Sequence, residues 1–405
     1  LSDTLDKRIF FTLFAAIFAT TLGVGLVIPI LPVYAAQSGA GGFAVGMIFG
    51  AFSLSRSFFV PIFGRMSDDY GRKLFLSIGL FAYCLVSVAF VFSENVYWLI
   101  IIRFFHGITS AMVLPVAFAY VGEIGPPDHE GEVMGLFQIS LNGGLSFGPF
   151  LGGVIKDMFG VKMTFLSMGL VCFIAFLLCV FLLPSKEASR RGRPVGLSYI
   201  TLIKDRTVGA LFVHRICLAV GVGVIWAFFP LMADSEFHLS STLIGLVLMA
   251  NVALGVLCLY PMGLIADKID KRIPAVVGGV VGSIALALLI HAKSLGEVLT
   301  LGIAHGLAFG IVAPSMMAVA VICGREIKAM GTIMGVISMA HSLGMLIGPT
   351  LGGLVMDALS FAGVFSFACV VMVAGTIYLL VRLPSTITAP AAKRRKMVPP
   401  LHLHE

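Results

Sequence analysis

Charge is scarce in this sequence. Acidic and basic residues make up only 12% of its 405 positions, against 59% hydrophobic residues, which is too little polar surface to coat a soluble globule of that size. A soluble enzyme built round one large core is thereby excluded. Acidic residues are absent from the depths of the apolar runs, so no carboxylate is expected in mid-membrane. There is no Gly-x-x-x-x-Gly-Lys loop and no cysteine pair at zinc-ligand spacing, which argues against an ATP-driven machine, a metal centre or any cofactor. His402 and His404 near the end have too few partners to hold a metal. The polar links also lack cysteine: all seven cysteines lie inside apolar runs, where they read as small core residues rather than disulfide partners.

What the chain does have is long apolar runs. Its mean hydropathy is +1.05, and runs of about 20 residues recur, each long enough to cross about 30 Å of hydrocarbon as a helix that satisfies its own backbone. The spacing predicts twelve spans, near 9–35, 43–63, 74–93, 96–123, 132–155 and 163–183, then near 208–232, 241–265, 273–292, 297–322, 330–355 and 361–382. The expected fold class is an all-α membrane protein. Its predicted division is a six-helix bundle over 1–183, a polar linker over 184–207, a second six-helix bundle over 208–384 and a basic tail over 385–405. The first run is too long for a signal peptide and lacks a small-residue cleavage site, so it reads as a retained span.

A formal charge of +7 would suggest nucleic acid as a partner of a soluble chain, but here it follows topology and no nucleic acid is expected. Lys7 and Arg8, then Arg65, Arg72 and Lys73, then Lys186, Arg190, Arg191, Arg193, Lys204 and Arg206 occupy every second link. Lys268, Lys271, Arg272, Arg325, Lys328 and the run 393–396 continue the series. The alternate links, 37–42, 93–97 and 234–241, carry no Lys or Arg. The positive-inside rule then puts both termini in the cytoplasm of a multi-pass protein of the cell (inner) membrane.

The two halves resemble each other at an offset of about 200 residues. Gly64-Arg-Met-Ser-Asp68 returns as Gly263-Leu-Ile-Ala-Asp267, His106-Gly107 as His305-Gly306, and Pro115 as Pro314. Met134-Gly135 returns as Met334-Gly335. Gly144-x-x-x-Gly148-Pro149-x-Leu151-Gly152-Gly153 returns as Gly344-x-x-x-Gly348-Pro349-x-Leu351-Gly352-Gly353. Parallel repeats of six spans, with a substrate site near the midplane between them, are what a rocking-bundle transporter needs.

Three motifs sharpen this. Gly64-x-x-x-Asp68-x-x-Gly71-Arg72-Lys73 joins the second and third spans; Gly64 lets a helix approach, Asp68 can face a helix dipole or accept from Arg72, and Gly71 permits a tight turn. It resembles the signature of the major facilitator superfamily, which implies a pseudo-symmetric pair of six-helix bundles and a latch on the cytoplasmic side in the outward-facing state. The second copy has Asp270 where Gly71 maps, so the latch is expected to be stronger in the first half, with Asp267 as its weaker counterpart. The Gly144, Gly148, Pro149, Gly152, Gly153 element, repeated through Gly348 and Pro349, resembles the motif of the antiporter branch and favours export. Glycines four apart give a smooth helix face, and the proline bends it. Arg103-x-x-His106-Gly107 resembles the superfamily's buried-arginine motif, linked in exporters to proton coupling; the bland alternative is an arginine that snorkels to the interface. Gly23-Val-Gly25-Leu-Val-Ile-Pro29-Ile-Leu-Pro32 is similar to the first span of tetracycline-type and multidrug proton antiporters. Those carry an acid three positions before the first glycine, where this chain has Thr20.

Inside the spans lie Arg56, Arg215, His214, His305 and His341, with the amides Gln138, Asn142 and Asn251. Buried cations without acids are unfavourable unless an anion visits, so the expectation is a cavity suited to anionic or zwitterionic substrates. The alternative is arginines on backbone carbonyls and histidines that only pack. His106, His305, His341 and Glu123 are the candidate proton carriers. The resemblance implies a drug/proton antiporter: a monomer exporting a small amphipathic molecule by alternating access, with protons and the lipid bilayer as its other partners and no enzymatic step. A lipid or lysolipid transporter of the same fold, and a transporter-like sensor without net flux, are the rival readings.

Overall fold

The computed structural model describes residues 6–124, 130–184, 199–326 and 330–384, and every regular element among them is a helix. The first group comprises α1 (Lys7–Val27), α2 (Ile30–Gln37), α3 (Gly42–Tyr70), α4 (Arg72–Val91), α5 (Val96–Ile124), α6 (Glu130–Phe159) and α7 (Val161–Leu182). The second comprises α8 (Tyr199–Lys204), α9 (Arg206–Ser235), α10 (Ser241–Lys268), α11 (Arg272–Leu289), α12 (Leu295–Glu326) and α13 (Met330–Arg382). Ten stretches among the described residues are long and apolar enough to cross a membrane. α13 supplies two crossings, because Ser360, at φ 65°, breaks its helical course. Adding α6, whose glycines and amides make it more polar, gives about twelve spans.

Local chemistry sets the breaks. The expected first span is two helices, since Pro29 caps α2 and offers no amide to continue α1. Gly71, at φ 96°, turns α3 into α4 in a region that an L side chain resists. At the matching turn of the second half, Asp270 does the work instead: its carboxylate accepts from the Arg272 amide at 2.9 Å and pairs with the Arg272 guanidinium. The short helix α8 has no counterpart among the expected spans. The stretches 185–198 and 385–405, with His402 and His404, lie outside the described residues.

Lipid tails are as apolar as leucine, so close backbone contact rather than apolar burial brings spans together. In the first group α1 packs on α6 and α7, α3 on α5, and α4 on α5 and α7; in the second α9 packs on α13, α10 on α12, and α11 on α12 and α13. Two large contacts join the groups, α3 with α13 and α6 with α10, and α2 adds a smaller one with α9. The apolar core follows this plan. One cluster runs through the first group and across to Ile225, Phe228, Ile244 and Val364 of the second. A separate cluster, around Val208, Leu211, Val319, Ile333 and Leu379, belongs to the second group alone. The groups therefore share a core at one end of the molecule and part at the other.

A seam closed at one end

Alternation of the helices puts Arg72, Leu183, Arg206 and Arg382 on one face, here termed the linker face. The groups meet at the far face. There α3 begins at Gly41, a cap residue with no side chain, and its first amides are capped from the other group: Gly42 and Phe43 donate to the Asp357 carboxylate of α13 at 2.6 and 2.8 Å. The arrangement repeats across the pseudo-twofold. Ser241 and Thr242, opening α10, donate to Asp157 of α6 at 3.2 and 2.8 Å, the Thr242 hydroxyl adds 2.7 Å, and Lys156 donates to Ser241 Oγ at 2.6 Å. Asp157 lies past the apolar run on the far rim. Partial burial pushes its carboxyl up, but the hydrogen bonds from Thr242 and Ser241 outweigh this and hold it below the usual carboxylate range. The sequence places Asp157 and Asp357 only at span ends. Their 200-residue offset, opposite a helix start without a cap of its own, is the signal that could have shown their role.

Below these caps, carbonyls of the antiporter-motif prolines sit against glycines of the opposite group. A side chain at Gly46 would strike the Pro349 carbonyl, and one at Gly245 the Pro149 carbonyl. Gly153 likewise lies on Ser241 and Gly353 on Gly42. The other motif glycines look inward, within their own group. A Cβ on Gly148 would be 2.5 Å from Gly25 Cα. Gly144 lies on Thr21 and Phe18, Gly152 on the Leu26 backbone, and Gly348 on Val220. One motif thus serves two contacts, one inside each bundle and one across the seam. The crossing contacts reach Gly50 against Thr350 and Leu346, and Ser146 Oγ against the Met249 carbonyl at 3.4 Å. Toward the linker face, a side chain on Gly64 or Gly135 would meet nothing within 4 Å.

The expected gating residues cluster at that open end, within the first group. The Arg72 guanidinium pairs with Asp68, donates to Glu123 Oε1 at 2.9 Å and to Ser67 Oγ at 2.5 Å. Lys73 donates to the Leu183 carbonyl at 2.6 Å. Glu123 is therefore tied to the turn between α3 and α4. It stands 20 residues from Arg103 along α5, about 30 Å in a helix, so the two do not form one centre. The Asp267 side chain lies outside the described residues.

Arg103 does not snorkel. It is 4% exposed, donates from Nε to the Ile48 carbonyl at 3.2 Å and from Nη1 to His106 Nδ1 at 3.1 Å, and lies over the Phe49 and Phe52 rings. Because Arg103 can only donate, His106 Nδ1 accepts and Nε2 carries the hydrogen, among the rings of Phe52, Tyr83 and Phe90. The second half has the same device with a neutral donor. Asn251 of α10 donates to the Gly302 carbonyl at 2.7 Å and faces His305 Nδ1 at 3.3 Å. Both lie inside the second group, in a small pocket walled by Ile225, Phe229, Leu286 and Leu289. Thr20 donates to its own helix at the Ala16 carbonyl, 2.7 Å away.

Arg56, Arg215 and His341 lie on α3, α9 and α13, the helices that border the seam. Arg215 Nε and His341 Nδ1 are buried without a hydrogen-bond partner among the described residues, and Arg215 lies over the Phe309 ring at 5.7 Å. Gln138 and Asn142 share a stripe of α6 with Ser146, at four-residue spacing, which continues from the α10 contact toward the open end. Asn142 donates to the Gln138 carbonyl at 2.9 Å.

Comparison with known proteins agrees with this architecture. The sequence profile of the Major Facilitator Superfamily matches residues 13–213 and again 211–403. An uncharacterized MFS-type transporter of Methanocaldococcus jannaschii is 29% identical over 374 residues, 90% of this chain and 95% of that protein. Multidrug resistance protein 2 of Bacillus subtilis is 27% identical over 382 residues, 91% and 94% of the two chains. Among solved structures, the nucleoside transporter NupG superimposes with a TM-score of 0.78 at 12% identity, over 92% of this chain and 98% of that one, a likeness of fold. With two profile matches that between them span nearly the whole chain, and a duplicated bundle architecture to match, this chain is a multi-pass membrane transporter of the Major Facilitator Superfamily.

Proposed function

We propose that this transporter exports a small amphipathic molecule from the cytoplasm by alternating access, in antiport with protons, as a monomer of the inner membrane. The observation that carries the reading is the half-open seam: both inter-bundle contacts run from the far face to mid-depth, and the core divides below them. Taking the basic linker face as cytoplasmic, this conformation is inward-open, with the two caps closing the outer end and the Asp68, Arg72 and Glu123 cluster waiting at the inner end. Export is supported by the antiporter-type Gly-Pro elements and by a relative named for multidrug resistance. For proton coupling, His106 and His305 already engage Nδ1 inside a single bundle. His341, whose Nδ1 is buried without a hydrogen-bond partner among the described residues, is the proposed carrier in the membrane, and Glu123 the one at the inner surface.

The test is flux in proteoliposomes under an imposed pH gradient, using ethidium, anilinonaphthalene sulfonate and a labelled lysolipid as probes. Accumulation of either of the first two, collapsed by a protonophore, supports the reading. Movement of the lysolipid alone favours the lipid-transporter rival, and binding without movement of any probe identifies a sensor.

A further inference from the structure

We infer that the second bundle binds one buried water molecule in a cavity that is the counterpart of the Arg103 slot of the first bundle, with Asn251 Oδ1 and the Val247 carbonyl as its partners. The repeat, the cavity and the polar groups on its wall carry this.

At the register that lays His106 on His305, Arg103 falls on Gly302, Ile48 on Val247, Phe49 on Leu248 and Phe52 on Asn251. In the first bundle these residues make one set of contacts: the Arg103 guanidinium reaches the Ile48 carbonyl and His106 Nδ1, and it lies over the Phe49 and Phe52 rings. Gly302 brings no side chain to the matching place. Val247, Leu248, Asn251, Gly302 and His305 instead wall a cavity of about 10 Å³. Its wall on α11 is thinner as well, since Ala285 and Leu289, which line it, stand where α4 has Val86 and Phe90. The cavity is thus the space of a guanidinium that the second copy only partly refills.

That volume is room for one water and for nothing larger. A small cavity stays dry when its wall is wholly apolar, whereas polar groups without a protein partner draw water in. Asn251, 7% exposed, uses both amide hydrogens, on the Gly302 carbonyl and on His305 Nδ1. Its Oδ1 accepts no hydrogen bond among the described residues. A helix carbonyl keeps a second lone pair beside its own helical bond; Arg103 fills it at Ile48, and Gly302 has nothing to offer at Val247. A water donating to Asn251 Oδ1 and to the Val247 carbonyl supplies what Arg103 Nε supplies in the first bundle, without the charge. The first core is then tied by a fixed cation, and the second by an amide with an exchangeable water.

The experiment is water-edited solid-state NMR of the full chain in lipid bilayers, with the asparagine side-chain amides isotopically labelled. The chain has asparagine only at 95, 142 and 251, and the exposed Asn95 is the reference for contact with water. Magnetisation from water is expected to reach the Asn251 amide in the wild type. It should be lost there in Ala285→Val, which puts the first bundle's residue into the cavity wall, while the Asn95 and Asn142 signals stay. No transfer to Asn251 in the wild type, or undiminished transfer in Ala285→Val, overturns the inference. Should Ala285→Val fail to fold, Val247→Ile, which adds one methyl to another wall, takes its place. Unfolding in detergent reads the same question by sign. Expelling a bound water strands Asn251 Oδ1, so Ala285→Val should shift the unfolding equilibrium about tenfold toward the unfolded chain, and the shift should vanish in an Asn251→Leu background. A dry cavity gains stability from the added methyls, and overpacking costs the same in both backgrounds; either result overturns the inference.

Discussion

The two halves share one backbone plan, yet they place charge differently. In the first, a guanidinium on α5 ties that helix to α3 and locks His106; in the second, an amide on α10 ties it to α12 and faces His305. The first half turns between helices on a positive-φ glycine beside the Asp68, Arg72 and Glu123 cluster, whereas the second turns on Asp270, paired with Arg272. Close packing was retained in both copies, because helix approach in lipid depends on it. The ionic features differ between the copies, so the asymmetry of charge lies mainly in the first half.

The largest expected effect comes from one glycine position in its two copies. Gly152 lies on the Leu26 backbone, which cannot withdraw, whereas Gly352 faces the Phe228 ring edge at 3.1 Å and the Val224 and Val364 methyls, all of which can turn. Gly152→Ala should therefore cost on the order of 2–3 kcal/mol through forced separation of α1 and α6. Gly352→Ala should be neutral, or stabilising by up to about 1 kcal/mol from helix propensity. Unfolding in detergent, followed by circular dichroism, gives both values. Equal costs would show that the two inner faces of the motif pack alike.

The next comparison sets charge against amide. Asn251→Leu strands the His305 ring nitrogen and takes a donor from the Gly302 carbonyl, at a cost of about 1–3 kcal/mol. Arg103→Met strands the His106 ring nitrogen and takes a donor from the Ile48 carbonyl in the same way, but it also relieves the desolvation cost of a buried cation, which offsets part of that loss. Stability should thus fall more for Asn251→Leu, while flux of the transported probe should fall more for Arg103→Met. If both stability and flux rank the variants in the same order, the charge at 103 is a packing feature only.

Sequence alone made the spans, their duplication and the glycine contacts readable, because each rests on a local rule: run length, offset and four-residue spacing. Gly71 turned as its residue type demands, and Arg103 was recognisable as buried from its depth. Which face of each helix meets lipid was not readable, since a helix such as α7 is apolar all round and bilayer and core reward the same residues. Pairing of Glu123 with Arg72 and capping of α3 by Asp357 join residues 51 and 315 positions apart, and nothing in local pattern encodes such partners. Arg56 and Arg215 were legible as costly cations, but that Arg215 lies over the Phe309 ring required the fold.

Closing of the far face offers a smaller test. Asp357 supplies the hydrogen bonds found between α3 and α13 among the described residues, and α3 has no side-chain cap of its own. At the matching seam Lys156 still reaches Ser241 if Asp157 is lost, and Ser240 caps the Leu243 amide. Asp357→Ala should therefore speed hydrogen exchange at Gly42 and Phe43 several-fold, corresponding to about 1 kcal/mol for a lost cap. Asp157→Ala should do less at Ser241 and Thr242.

The smallest effect concerns pH at that second cap. The Asp157 carboxyl is held below its ordinary value once folded, so its contribution is complete above the unfolded carboxylate pKa of about 3.9 and is lost only as pH falls through the lower folded value. Protection of the Ser241 and Thr242 amides, corrected for intrinsic exchange, should stay level from neutral pH down to about 5 and fall only below about 4. In Asp157→Asn it should be weaker and level throughout. A fall between pH 7 and 5 that requires Asp157 would make this cap a proton-operated gate. Level protection there leaves the cap as a passive clasp, and the proton uptake proposed above then belongs elsewhere, with His341 in the membrane and Glu123 at the opposite face as the groups to test.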